Sequence, residues 1–418
     1  MKKYETYKDS GLEWLGIVPE HWDVLRVKYI CNVTDGTHFS PTTISEGKPY
    51  ITVSNVKDDI IDVEGAGRIS NDDFNELVKQ GCQPRSGDVL LAKDGTVGRT
   101  AIVKDNDYVV LSSLGILSPN DYLTSSYLKY MLDSSILQEQ MNEAMAGSAL
   151  RRITISKIKD LVGLLPPLSE QRAIASYLDH KVGQIDTLIS EKEKMVEDLK
   201  AYRSSVITET VTKGLDKGAD MKDSGVEWIG KMPQKWDLLK LKRIVNLKSG
   251  NSLTSDRILD EGKYKVYGGN GLRGYINDYT NEGHFVLIGR QGALCGNINY
   301  ANGKFWATEH AVVCYPLKDI DTIWLGETLR AMNLNQYSIS AAQPGLAVER
   351  INELLIPLPS ISEQKEISSY LKLKITKIES AISEQEHQLS DLKLYKSSLI
   401  TEAVTGKIDL RDWQAQKS

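Results

Sequence analysis

The sequence predicts an α+β chain: two globular α+β domains separated by two long antiparallel helices that pair as an intrachain coiled coil, with pseudo-twofold symmetry. Three observations predict it. One opening motif occurs twice, one closing block with the apolar spacing of a long helix occurs twice, and the stretches between them diverge. At 418 residues the chain exceeds one ordinary core. Its 41% hydrophobic and 26% charged content, without an apolar run of membrane-spanning length, reads as soluble and globular. The start, MKKYETYKDSG, has charge but no apolar stretch behind it, so a secretory signal is not expected. Cys31, Cys82, Cys295 and Cys314 are scattered without a CxxC pair, which argues for a reducing, cytoplasmic compartment and against a disulfide framework or structural zinc.

The opening motif runs KDSGLEWLGIVPEHWDVLRVK from Lys8 and KDSGVEWIGKMPQKWDLLKLK from Lys222, with 12 of 21 aligned positions identical. Asp9/Asp223, Gly11/Gly225, Trp14/Trp228, Pro19/Pro233 and Trp22/Trp236 are its paired anchors. After the first copy, β-like runs at 49–53, 88–92 and 108–111 and one amphipathic helix near 125–145 predict a compact domain over 1–165. The closing block then begins behind Pro166-Pro167, with Ser169 as the expected N-cap, and predicts a spacer helix over 166–213. A second domain is expected over 214–357, with runs at 264–267, 285–289 and 311–315 and a helix near 324–332. A second spacer helix over 358–410, N-capped by Ser362, completes the plan.

In the first spacer helix apolar residues fall at Ile174, Leu178, Val182, Ile185, Ile189, Val196, Leu199 and Val206. In the second they fall at Ile367, Leu371, Ile375, Ile378, Ile382, Leu389, Leu392 and Leu399. Steps of three and four sustained this long describe a coiled-coil seam, and the polar Lys192 and Gln385 occupy its one missing beat. Each helix would extend about 65 Å at 1.5 Å per residue. Because each follows a different domain, burying the seams requires the chain to fold back, which predicts an antiparallel pair with the domains at opposite ends. A dimerisation stalk is the rival reading, but a tethered partner is the cheaper one.

Three loop types recur in both domains: Asp35–Pro41 with Gly250-Asn251-Ser252, Lys93–Arg99 with Arg290–Gly296, and Gly147–Ile153 with Gln343–Ile351. Small residues let a backbone approach phosphate, and neighbouring Arg, Lys, Gln and Asn have the donor geometry for base edges. Glycine turns between strands are the plainer alternative; recurrence in both halves weighs against it. The candidate DNA-facing residues in the first domain are Lys93, Thr96, Arg99, Arg151 and Arg152; loop membership adds Gln291 and Arg350 in the second. A formal GxGxxG at 269–274 lacks the helix that a dinucleotide site requires. The net charge of −5 opposes phosphate binding by the chain alone, unless basic residues share a face or partners supply contacts.

Chemistry of the chain's own is not expected. There is no P-loop, no NPPF/DPPY-type tetrad, no HExxH or ligand-like histidine spacing, and no nuclease acid two residues before Lys93.

Two variable regions, each closed by PLPP/IPLP-SEQ-xxI-xxYL and ending ITExVT, with DSGxEWxG-xxP-xxW before each, resemble the specificity subunits of type I restriction–modification systems. The resemblance covers essentially the whole chain. It implies a non-catalytic subunit that recognises an asymmetric bipartite site on double-stranded DNA, one half per domain, with spacing set by the helices. It implies docking of two adenine-N6 methyltransferase subunits and of motor-nuclease subunits. S-adenosylmethionine, and ATP with Mg, would belong to those partners; no cofactor of its own, no metal and no membrane partner are implied. The resemblance implies Thr37 and His38 in the DGTHFSP loop, and Tyr267, Asn270, Arg290, Glu309 and His310 in the second domain, as DNA-facing positions; the first domain departs from the second's YGGNG loop. The alternative class is a two-domain protein-binding scaffold without DNA specificity, which the acidic charge favours.

Overall fold

The computed structural model of the chain describes residues 2–57, 59–146, 151–292, 294–338 and 345–414. The chain forms two compact units, residues 1–193 with 387–418, and residues 194–386. Both boundaries cut the long helices, Leu168–Lys213 and Ile361–Val404. Each unit therefore holds an opening motif, a sheet-rich domain, the first part of the helix that follows it, and the last part of the other helix.

The opening motif is a hairpin device. Strand Tyr7–Asp9 pairs with Ile17–Pro19, and Met221–Asp223 pairs with Lys231–Pro233. Asp9 Oδ1 accepts from Gly11 N at 2.9 Å, as Asp223 Oδ1 does from Gly225 N at 2.9 Å. Gly11 and Gly16, like Gly225 and Gly230, take positive φ, which is why DSG and the later glycine recur. Trp22 and Trp236 are buried beneath these hairpins.

In the first unit a four-stranded antiparallel sheet has the order Thr100–Ile102, Val89–Ala92, Leu114–Pro119, Cys31–Asp35. A smaller sheet of Val109–Val110, Lys48–Ile51 and Gly67–Ile69, with helix Asn71–Lys79 packed beside it, lengthens this domain relative to the second. In the second unit one six-stranded sheet has the order Val245–Ser249, Ala311–Pro316, Asn281–Gly289, Ile298–Ala307, Tyr264–Gly268, Gly271–Ile276. Strand Ile298–Ala307, interrupted by Asn299, Asn302, Gly303 and Lys304, lacks a clean apolar alternation and escapes sequence reading.

Two expectations need correction. The helix expected near 125–145 is two, Ser125–Asp133 and Ser135–Met145. Ser134 between them is extended, donates its hydroxyl to Met131 O at 2.6 Å, and caps the second. Ser169 and Ser362 are not the N-caps: the long helices start at Leu168 and Ile361, so both serines lie in the first turn. In the second, Ser360 is the capping residue, its Oγ accepting from Glu363 N at 3.4 Å.

The SEQ tripeptide clips each helix to its own domain. Glu170 accepts from Trp22 Nε1 at 3.0 Å, and Glu363 from Trp236 Nε1 at 3.3 Å. Gln171 donates to Pro166 O and accepts from Thr124 N; Gln364 donates to Pro359 O and accepts from Asp321 N. Thr124 and Asp321 cap equivalent helices, so one glutamine side chain satisfies backbone groups at two helix starts in each unit.

Within each unit the two helices run antiparallel. Asp186 pairs with Lys396 at 2.6 Å and Glu193 with Lys393 at 3.0 Å in the first. Arg203 pairs with Glu379 at 3.3 Å and Lys200 with Glu386 at 3.7 Å in the second. The apolar stripe is shared with the domains: Ile174, Leu178, Val182 and Ile185 join Leu399, Ala403 and Val404 in the first unit's core, and Val206 and Val211 join Ile367 and Leu371 in the second's. At the polar beat, Lys192 donates to Gln388 Oε1 at 2.5 Å. Among the described residues, no helix is long and apolar enough to cross a membrane.

Candidate nucleic-acid interface

The recurring loops gather at one end of each unit's main sheet, after Asp35 and Ala92 and before Leu114 in the first, after Ser249 and Gly289 and before Ala311 in the second. Backbone hydrogen bonds join them. Thr37 N donates to Val110 O at 2.9 Å and Lys93 N to Ser113 O at 2.8 Å; Gly95 N reaches Arg151 O, and Ile153 N reaches Lys93 O. In the second unit Gly250 N donates to Ala311 O at 2.9 Å, Arg290 N to His310 O at 2.8 Å and Leu346 N to Arg290 O at 2.9 Å. Asp35 thus corresponds to Ser249, and Lys93 to Arg290. Gly36 and Gly250 are needed at the crossing: a Cβ there would stand 2.4 Å from Leu111 O and 2.2 Å from Ala307 O.

The two sites differ in charge. Lys93 is buried, its side chain 2% exposed, and its ammonium is paired with Asp35, whose other oxygen lies 3.2 Å from His38 Nε2. Its charge is spent inside the domain, while His38 projects from the surface. Arg290 is half-buried, donates to Ser249 Oγ at 3.2 Å, and has no carboxylate partner among the described residues. An unneutralised guanidinium keeps its full attraction for phosphate and its bidentate fork for guanine.

The remaining residues divide. Thr37 is buried and folds its hydroxyl onto Phe39 N and O. Arg152 pairs with Asp94 at 3.0 Å and Arg151 donates to Asn142 Oδ1, both beside the Lys93–Gly95 backbone. Thr96 is exposed, and Arg99 instead lines a cleft with Lys129, Asp133, Asp186 and Lys396. In the second unit a cleft of about 560 Å³ is lined by Gly268, Gly269, Asn270, Gly271, Leu272, Arg273, Gln291, Gly292, His310 and Gly345. Asn270, Gln291 and His310 therefore meet there, with Glu309 Oε1 3.3 Å from His310 Nε2. Tyr267 points away, edge-on to Phe305 at 5.7 Å in the core. Arg350 lies against Tyr337, over its ring and donating to its carbonyl. Residues 147–150, 293, 343 and 344 of the expected loops lie outside the described residues.

Arg273 was missed. It sits inside the segment whose glycines suggest a nucleotide fingerprint, and only its strand places it on the cleft wall, donating to Ser255 Oγ at 3.2 Å.

The model of the family described as type I restriction modification DNA specificity domain matches residues 19–198 and 233–387. The chain is 23% identical over 446 aligned residues to the type I restriction enzyme MjaVIII specificity subunit of Methanocaldococcus jannaschii, covering 98% of this chain and 97% of that one. A 43% identical match over 135 residues, to the EcoprrI specificity subunit of Escherichia coli, covers 31% of this chain and 34% of that relative. A chain in a solved structure concerned with assembly and conformational transition of the type I R-M system superposes with TM-score 0.68 at 17% identity, covering 94% of this chain and 99% of that one. That likeness is one of fold.

Proposed function

The chain belongs to the type I restriction–modification DNA specificity family, and from that premise we propose that it reads an asymmetric bipartite site on duplex DNA, one half-site per domain. The observation that supports this is the recurrence of one loop cluster at the same end of two otherwise different sheets. In the second domain Asn270, Gln291, His310 and Arg273 line one cleft and offer donors and acceptors suited to base edges, with Arg290 bonded to His310 through its backbone. In the first domain His38, Arg151 and Arg152 serve this role around the buried Lys93–Asp35 pair.

The chain contributes recognition and spacing rather than bond chemistry. Two adenine-N6 methyltransferase subunits, using S-adenosylmethionine, and motor-nuclease subunits, using ATP with Mg, would dock on it and act on the DNA it selects. The long helices set the distance between the half-sites. Methylome sequencing of cells carrying the chain with its methyltransferase tests this: methylation at two short half-sites with a constant spacer is expected. A single contiguous target, or no sequence preference, overturns it.

The net charge of −5 favours a second reading, a scaffold whose domains bind protein. Binding to random duplex DNA with and without the methyltransferase separates the two: salt-sensitive binding that appears only with the partner supports DNA recognition, and no binding under either condition supports the scaffold.

A further inference from the structure

An acidic chain grips duplex DNA either by concentrating its positive charge locally or by leaving phosphate contacts to partners. One such concentration occurs at the same place in both units. Strand Asp23–Arg26 pairs with Val162–Leu165, and Asp237–Lys240 pairs with Leu355–Leu358. At the end of each pair two cations converge on one carboxylate. Arg26 and Lys28 lie 3.0 and 3.3 Å from Asp160 Oδ1. Lys240 lies 2.7 Å from Glu353 Oε2, and Lys242 contacts its other oxygen. The backbone is the same too: Val27 N donates to Leu161 O and Leu241 N to Leu354 O, each at 2.8 Å.

Internal stability does not account for this arrangement. All six side chains stay between 37% and 53% exposed, and exposed ion pairs contribute little net stability. Each cluster carries one surplus positive charge. The lysines that grip Glu353 hold its carboxyl down at about 2, and the Lys28 and Arg26 contacts also lower that of Asp160. The carboxylate therefore fixes two outward cations at a set spacing. In the second unit the adjacent Arg243 is exposed as well.

The clusters are also tied to the loop sites. Ile153, bonded to Lys93, is followed by helix Ile155–Asp160, which delivers Asp160; Leu346, bonded to Arg290, is followed by helix Val348–Asn352 and then Glu353. Six helical residues span about 9 Å, the axial rise of two to three base pairs.

We propose that these paired clusters, Arg26/Lys28 on Asp160 and Lys240/Lys242 on Glu353, are contacts for the phosphate backbone of duplex DNA that anchor each domain independently of sequence. The proposal rests on the duplex-DNA reading above. The test measures binding of a random-sequence duplex against salt concentration, using the full chain with its methyltransferase, for wild type, Lys240→Ala/Lys242→Ala and Glu353→Gln. Wild type must bind; if it does not, the DNA reading itself fails and this one falls with it. The double variant should flatten the slope of log affinity against log salt by about one and weaken every sequence alike. Glu353→Gln, which removes the restraining charge, should bind several-fold tighter with a steeper slope. Unchanged slopes in both variants overturn the proposal, as does loss of methyltransferase co-purification with DNA affinity intact, which would assign the surface to a protein partner. Should the double variant fail to fold, Glu353→Gln decides alone: no gain in affinity overturns it.

Discussion

Lys93 and Arg290 occupy one structural position yet face different electrostatic situations. Lys93→Met removes the buried counter-ion of the half-buried Asp35, leaving it His38 alone, and should destabilise the first unit by about 2 kcal/mol, as losing a charge-assisted hydrogen bond does; a lowered midpoint in chemical denaturation checks this. Adding Asp35→Leu should recover much of the loss, because the orphaned carboxylate goes with it. Arg290→Ala leaves no buried charge stranded, so stability should change little. Recognition of only the half-site read by the second domain should weaken, by roughly 1–3 kcal/mol. Binding to duplexes mutated in one half at a time measures it; equal effects on both halves would make Arg290 a general contact. Nothing in the sequence separates these two residues, since each is a cation before a glycine loop. Burial and the residue opposite, Asp35 or Ser249, make the difference.

Among elements, the helix ends show what the repeated motifs do. Gly214 and Gly406 take positive φ beyond the long helices and lie against Trp236 and Trp22. A Cβ on Gly406 would stand 2.4 Å from Pro19 Cγ, whereas one on Gly11, also at positive φ, meets nothing within 4 Å. Gly11→Ala should therefore cost about 1 kcal/mol of backbone strain, and Gly406→Ala clearly more, because the hairpin must move too. Paired thermal melts would show it; equal losses would mean that the helix end is loosely seated. The repeated tryptophans were legible in the sequence as paired anchors and the SEQ residues as part of a repeated block, but not as partners of each other. Their bonds join positions some 127 to 148 residues apart.

For the whole molecule, the repeat blocks interleave: each unit is completed by the end of the helix that begins in the other. The unit boundaries fall after Glu193 and Glu386, inside the two helices. Inserting whole helical turns at both points should lengthen the methylated spacer and leave each half-site sequence unchanged. Methylome sequencing reads both at once, and an altered half-site with constant spacing would defeat the role given to the helices. Insertion into one helix only should instead impair assembly, because ion pairs such as Asp186–Lys396 and Arg203–Glu379 lose register.

Taken alone, the sequence determined the two-domain, two-helix plan, because repeats and three-four apolar spacing are local patterns that survive without coordinates. It also located the loops that meet at the candidate interface, since glycine marks turns wherever they lie. Tertiary structure decided which of the candidate side chains point outward. Lys93 and Tyr267 turn inward while Arg273 lines the cleft, and Lys240 and Lys242 gather on Glu353 from over a hundred residues away. Exposure and charge balance depend on neighbours brought together by long-range strand pairing, and no spacing rule along the chain encodes them.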